Sequence, residues 1–528
     1  MMSKIFNLSF VICNFFKKWR FAFLLAFIML AFQYTTIFSI LALTPHDHAW
    51  LGATITNSSD TAVYLNYINQ ASESFLLKNY YAGADHITRF DPFWSIGGLI
   101  VRFGASPIQT HEMLRIITTI ILAFALYVTA KSVTQNKKDT NLASLLMLFG
   151  ISTGWIYSVY MSVTNSWVIN SPVPADLSNE FALAPILLGG AHMILSPALL
   201  LLNTRWIWQI ITQNRKLSAL PWLTITYHVS FHPYYIPIYG LIGLFAYAYT
   251  RTKTSFLHFF ILNTAMLPGA IYYFYLILKD AKLRQHHFIT NTLPLDPFWM
   301  WLIMLLPLII AFIWILWNKH KLNFTSKTWV WIWLLSAIIC MLLPLPWNRK
   351  FTQTLLPALT ILTLPFWLHI YHSLKPKTDF VLKTALLILL AFPFIHLLQS
   401  QLALATDPAW YNYFYTSNQT LTAWKKLKSS PENSLTISTN LYTCLWSPAH
   451  TERQVWIAHT HETPNFKQRL HEFNAWRYTT SSTVFNNFLN KNNISHVITD
   501  QEKYNPYFNK NWQLDYQENN ISLWSRHN

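Results

Sequence analysis

Cysteine is nearly absent from this chain of 528 residues: Cys13, Cys340 and Cys444 are all it has, and only Cys444 lies in a clearly polar stretch. That excludes a disulfide framework and a cysteine-built metal site. Charge is scarce as well, at 11% of residues, and acids are scarcer than bases, 21 against 38. No internal repeat, low-complexity tract or glycine-rich phosphate loop interrupts the sequence. What fills the space is hydrophobic: 53% of residues, with 24 Trp and 26 Tyr and a mean hydropathy of +0.25. A soluble protein of this size does not carry such a composition, so the chain reads as a polytopic membrane protein. Its Trp and Tyr suit the interfacial belts of a bilayer, and they are also able to stack on sugar rings.

The formal charge of +17 does not call for nucleic acid. Lys131, Lys137 and Lys138, Arg215 and Lys216, Arg251 and Lys253, Lys319, Lys321 and Lys327, and Lys375 and Lys377 fall in connectors on one side of alternating apolar runs. This is the positive-inside pattern. The opposite connectors are poorer in Lys and Arg, apart from Lys282, Arg284, Arg349 and Lys350.

Lys17, Lys18 and Arg20 precede a first apolar run near 21–43. It is too long for a signal-peptide core and predicts an uncleaved span with a cytoplasmic N-terminus. Further runs near 111–130, 141–161, 186–210, 218–231, 234–250, 255–278, 296–317, 327–346, 352–373 and 380–404 bring the expected total to about eleven. Within 218–250, His232-Pro233 breaks one stretch, leaving either two short spans or one broken helix; the later Lys-rich connectors favour two. The expected division is a transmembrane domain over 1–404 with a long outer loop at 45–110, then a small outer domain over 405–528. In the tail, β-type runs at Leu435–Ser438, Val455–His459 and His496–Thr499 alternate with helical patterns near 466–476 and 483–490, which predicts α/β. The fold class is therefore mainly α: a transmembrane helix bundle with a small C-terminal α/β domain.

The long first loop has the most to say about chemistry, because a bare connector between spans needs only a few residues. In Asp60-x-x-x-Tyr64-Leu65-x-x-Ile68 the spacing puts Asp60, Tyr64 and Ile68 on one side of a short amphipathic helix, with Tyr67 beside them. A carboxylate at the membrane–water boundary can serve as a base; the plainer reading of Asp60 is a helix N-cap. Asn57-Ser58-Ser59 is formally a glycosylation sequon, and its place beside that carboxylate argues against modification.

Farther along, Asp176 and Glu180 stand four residues apart before the fourth span. They could bind a divalent cation, orient a sugar hydroxyl or hold an Arg, or Asp176 could simply cap the next helix. His192 follows within an apolar run, and His232 sits at the Pro break, where a ring can contact a substrate or satisfy the interrupted helix. Arg349 and Lys350, at an outer helix end, oppose the positive-inside trend. A phosphate or pyrophosphate gives them a reason, and so does a lipid headgroup. The pairs His46/His48, His286/His287 and His459/His461 lack the spacing of a zinc site and are expected at the surface.

These features, in this order, resemble the GT-C superfamily of integral-membrane glycosyltransferases, in particular bacterial multi-span members with a C-terminal outer domain. The resemblance covers nearly the whole length. It rests on Asp60-x-x-x-Tyr64-Leu65, Pro174-x-Asp176-Leu177-x-x-Glu180, His232-Pro233-Tyr234 and Trp347-Asn348-Arg349-Lys350. The tail segments His461-Glu462-Thr463-Pro464-Asn465-Phe466 and Ile494-Ser495-His496-Val497-Ile498 add to it. The resemblance implies a sugar donor linked to polyprenyl phosphate, a glycolipid, polysaccharide or protein acceptor at the outer face of the inner membrane, and the membrane lipid itself as partner. It further implies Asp60 as catalytic base, with Arg349 and Lys350 near the donor phosphate. Two departures stand out. Many members have adjacent acids in the first loop, whereas Thr61 follows Asp60, and the second loop has no tight Asp-x-Asp. A divalent cation is thus compatible with the pattern but not required by it. A transporter or flippase for a lipid-linked sugar, or a non-catalytic scaffold, are the other classes such a chain fits.

Overall fold

A computed structural model describes residues 2–54, 56–81, 88–164, 181–280, 284, 288, 295–318, 328–345, 348–353, 355–373, 379–407 and 410–527. By packing, the chain forms two units. One comprises Met1–Thr36, Arg115–Ala270 and Leu293–Ser400; the other comprises Ile37–Leu114, Ile271–Thr292 and Gln401–Asn528.

Most of the described chain is helix. Six helices among the described residues are long and apolar enough to cross a membrane: Asn14–Ala42, Pro107–Val133, Lys137–Met161, Ala191–Thr212, Phe298–Trp317 and Asn348–Ser373. A seventh arises if Lys253–Thr264 and Leu267–Lys279, bent by 41°, form one span. The protein is a multi-pass membrane protein on these helices.

The difference from about eleven has a local physical cause at 218–250. Proline disfavours the α conformation of the residue before it and supplies no N–H. The helix Ala219–Phe231 therefore ends at His232, a single 3-10 turn Pro233–Tyr235 follows, and a new helix runs Ile236–Thr250. With 13 and 15 residues they are about 20 and 22 Å long, short of the roughly 30 Å apolar layer. Thr328–Leu342, with 15 residues, is short as well, and Asp379–Thr406 is a 28-residue helix with Pro393 inside.

Within the first unit, the helix Ala191–Thr212 is the hub. It is the most enclosed span, 83% buried, and it packs against Ala219–Phe231, Ile236–Thr250, Lys253–Thr264 and Thr328–Leu342. Phe298–Trp317 is only 28% buried. It is apolar all round, exposing Leu302, Leu306, Ile310 and Ile313, as expected of a helix whose outer surface meets lipid.

The second unit combines the first loop with the tail. The loop folds into helices Ser58–Glu73 and Pro92–Arg102, which pack closely. Gly98 permits this: a Cβ there would lie 2.2 Å from the backbone C and O of Ala71. The tail carries a five-stranded sheet in the order Gln454–Val455, Leu435–Ser438, His496–Thr499, Ile521–Arg526, Trp512–Glu518. The first three strands are parallel, and the last two close it as an antiparallel hairpin. Helices Leu441–Thr451, Phe466–Arg477 and Ser482–Lys491 make the crossovers. Two of the expected strands have their expected ends. The third is shorter, because after Val455 the chain leaves the ladder for a turn in which the Thr463 N–H donates to the His459 carbonyl.

Candidate active site in the second unit

The helix carrying Asp60 is fixed at its entrance. Asn57, in the left-handed conformation at φ 60°, is its N-cap residue, and its side chain makes no cap hydrogen bond. Asn tolerates that conformation better than most residues. The Thr54 N–H donates to the Thr61 hydroxyl at 3.1 Å, and the two threonine hydroxyls lie 2.6 Å apart. Asp60 thus occupies the third helical position rather than the cap, where a negative charge also suits the helix dipole.

Its carboxylate is held by the tail. Asp60 Oδ1 lies 2.8 Å from His459 Nε2. The imidazole is 2% exposed, the carboxylate 29%. The expectation of a surface His459 is therefore wrong, while His461 is exposed as expected; His286 and His287 lie outside the described residues. His459 comes off the carboxyl end of the Gln454–Val455 strand, and the turn it opens faces its own ring. The backbone N–H groups of His461 and Glu462 both donate to His459 Nδ1, at 3.2 Å each. An Nδ1 that accepts leaves the neutral ring's proton on Nε2, so Nε2–H donates to Asp60.

Around this pair stands an aromatic and polar wall. Tyr64, one turn on from Asp60, donates its hydroxyl to the same carboxylate. Burial first, then the charges of Asp60 and Glu462, push the Tyr64 phenol well above its ordinary range, so it remains a donor. Its ring stacks on Trp94 at 4.9 Å and 20°. Arg89 lies 4.7 Å over the buried Tyr67 ring, and Asn79 donates to Glu462 Oε2 at 2.9 Å. Asp91 caps the Pro92–Arg102 helix through Phe93 N–H at 2.9 Å. Burial raises the pKa of this carboxyl, against the opposing Arg89 charge.

His192, His232, Arg349 and Lys350 belong to the first unit. His192 and His232 face each other, ring centroids 5.4 Å apart. Lys350 lies 5.6 Å over the Tyr234 ring. Arg349 approaches Asp296 at 3.9 Å, too far for a hydrogen bond. Asp176 and Glu180 lie outside the described residues, so their expected roles stay with the sequence. Among the described residues no group of three His, Cys, Asp or Glu side chains is arranged to hold a metal ion.

Sequence reasoning missed two things here. One is His459, whose signal was its place at the end of a β-type run. The other is a buried hydrogen-bond chain centred on His228. Thr224 donates to Asn203 Oδ1 at 2.8 Å, and Asn203 Nδ2 to the Tyr239 hydroxyl at 3.2 Å. Tyr239 then donates to His228 Nδ1 at 2.6 Å, so His228 Nε2–H donates to Ser196 Oγ at 2.9 Å. The Ser196 hydroxyl donates to Gln353 Oε1 at 3.0 Å. Each link of the chain pairs a donor with an acceptor, which is what a buried polar group in an apolar bundle requires.

No protein-family profile and no curated protein sequence matches this chain. Among solved structures, similar backbones include the Archaeoglobus fulgidus oligosaccharyltransferase in complex with zinc and sulfate. It is 14% identical with a TM-score of 0.44, and the match covers 92% of this chain and 69% of that one. The oligosaccharyltransferase AglB of the same organism, in complex with an inhibitory peptide and a dolichol-phosphate, is 13% identical with a TM-score of 0.42, covering 92% and 70%. At this identity and TM-score the likeness says nothing about which residues act.

Proposed function

We propose that the protein is a membrane glycosyltransferase of GT-C type. It would move a sugar from a polyprenyl-phosphate-linked donor to an acceptor hydroxyl at the outer face of a bacterial inner membrane. Asp60 takes the proton of the acceptor O–H as that oxygen bonds to the anomeric carbon. The anomeric C–O bond to phosphate breaks, and its electron pair leaves with the phosphate. Arg349, with Lys350, stabilises the charge that develops there, the largest electrostatic demand of such a displacement. Asp176 and Glu180 would orient the sugar or hold a divalent cation. Tyr64 is stacked on Trp94 beside Asp60 and offers an aromatic surface suited to a sugar ring.

The observation that carries this reading is the state of Asp60. It is a carboxylate given an oriented donor, His459, with the Tyr64 phenol beside it, while 29% of its side chain stays open. A helix cap needs none of that. The test is transfer of radiolabelled sugar from polyprenyl-phosphate sugars in membranes carrying wild type or Asp60→Asn at equal protein level. Transfer by wild type and its loss in the variant supports the proposal. Equal transfer by both removes Asp60 from the mechanism. Lipid-linked sugar accumulating on one leaflet of cells lacking the protein, with no transfer by either form, points to a flippase instead.

A further inference from the structure

Among α/β sheets, ligand-handling residues gather at the carboxyl ends of parallel strands, where consecutive crossovers part to opposite sides. The tail sheet has such a point. From Leu435–Ser438 the chain crosses to Gln454–Val455 on one side, and from there to His496–Thr499 on the other. Between the two longer strands the carboxyl-end crevice is taken up by Thr439 and Asp500, bonded to each other at 2.6 Å. The neighbouring strand end delivers His459 to Asp60.

Both ring nitrogens of His459 are committed, Nδ1 as acceptor from two backbone N–H groups and Nε2 as donor to Asp60. A ring so engaged cannot itself take the acceptor's proton. The turn behind it is fixed in its own right. The Ala458 N–H donates to the Thr463 hydroxyl at 3.2 Å, and Asn79 holds the Glu462 carbonyl at 3.1 Å. The ring is therefore aimed by backbone, and the direction of its Nε2–H is set before any substrate arrives.

We infer that His459 is the positioning residue of Asp60: its Nε2–H, aimed by the 459–463 turn, sets the orientation in which the carboxylate meets the acceptor hydroxyl. This rests on the proposed transferase reading and adds that the tail domain completes the active site in the first loop. It makes no contact with the substrate and does no chemistry of its own. Its effect should therefore fall on turnover, because misplacing a reacting group by about 1 Å costs on the order of 10²-fold in rate.

Two substitutions separate positioning from plain structure, because His459 does two jobs through two different atoms. An Asn side chain places its oxygen where Nδ1 sits, so His459→Asn keeps the acceptor for the turn and loses the donor to Asp60. A Gln side chain reaches the Nε2 position, so His459→Gln keeps the donor and loses the turn acceptor. Purified full-length protein is assayed for sugar transfer and for melting temperature, with Asp60→Asn alongside. Positioning predicts that His459→Asn melts near wild type but loses about 10²-fold in kcat with KM within about twofold. His459→Gln, which keeps a donor but not its backbone aim, should melt lower and lose clearly less kcat than His459→Asn. The inference is overturned if His459→Asn turns over like wild type, or if His459→Gln is as slow as His459→Asn. Should Asp60→Asn be inactive while His459→Asn is unaffected, the transferase reading stands and only the role of His459 falls. Transfer indifferent to Asp60→Asn removes the transferase mechanism and the positioning role together.

Discussion

Each of the two units contains a buried histidine whose tautomer is set by its neighbours, and the two networks end differently. In the helix bundle, donors run from Thr224 through Asn203, Tyr239, His228 and Ser196 to the Gln353 amide oxygen. Asn203, His228 and Ser196 are 0% exposed and Gln353 is 6%. In the second unit, backbone N–H groups aim His459, which donates to a carboxylate that keeps 29% of its side chain exposed. The device is the same, a ring with one nitrogen accepting and the other donating. A chain that closes on a buried amide satisfies polar groups where water is absent. One that ends on a part-exposed carboxylate holds a charge ready for a partner.

The comparison is broken most severely at Asp60. Asp60→Asn keeps the shape and removes the proposed base, and should lower transfer by about 10²- to 10⁴-fold, measured as kcat/KM in membranes at matched expression. Arg349→Ala should cost somewhat less, about 10²- to 10³-fold, if it neutralises the departing phosphate. A loss that appears in KM alone would make it a lipid-headgroup contact.

The buried chain should answer in stability instead. Tyr239→Phe deletes one hydroxyl and leaves both Asn203 Nδ2 and His228 Nδ1 without that partner. Its expected cost is about 1–3 kcal/mol, read as a lower melting temperature in detergent, with transfer per folded molecule within about threefold. If Tyr239→Phe instead abolishes transfer at unchanged stability, the bundle network is part of the chemistry and the distinction between the two units is lost.

Part of this arrangement was legible in the sequence. The apolar runs are one-dimensional signals, so Leu435–Ser438, His496–Thr499 and a span near 186–210, observed as Ala191–Thr212, could be read directly, as could an amphipathic helix carrying Asp60 and Tyr64. The His232-Pro233 break was also visible, because proline acts on its own neighbours. Its consequence, helices of 13 and 15 residues, depends on where each helix starts, which hydropathy does not fix. His459 was out of reach for a different reason. Its partner lies 399 positions away, and a His two residues from another His looks like a surface pair until a sheet carries it inside. His228 sits in a run whose partners Ser196, Tyr239 and Gln353 come from other elements, so no spacing rule joins them.

Gly98→Ala sharpens the comparison from the packing side. The added Cβ meets Ala71 backbone at 2.2 Å, and backbone cannot swing aside as a side chain can. The Ser58–Glu73 helix must shift, at an expected cost of about 1–3 kcal/mol. Because Asp60 rides on that helix while His459 does not, kcat should fall along with the melting temperature. The matched Tyr239→Phe loss of stability should leave kcat alone. A Gly98→Ala protein that melts lower but turns over normally would mean that the Asp60 geometry is set by its tail contact rather than by the helix pair.

The smallest effect expected is one of pH, in the tail domain alone. His450 stacks on Trp424 at 4.8 Å and 11°, and its Nε2 has no hydrogen-bond partner among the described residues. Burial, with the nearby Lys428 charge, lowers its pKa to about 4, and burial lowers that of His496 as well. Between about pH 6.5 and 4 the unfolded chain therefore binds a proton at His450 that the folded one does not. Stability rises with pH through that window, is complete above it, and is lost as pH falls, by no more than about 3 kcal/mol. Hydrogen exchange in the strands Leu435–Ser438 and His496–Thr499 of the full-length protein, corrected for the intrinsic pH dependence of exchange, should quicken over this range. A His450→Phe protein, whose ring can keep the stack without titrating, should lose most of the dependence. If exchange in that variant still quickens as steeply between pH 6.5 and 4, His450 is not the group responsible, and the acid sensitivity belongs to His496 or another group.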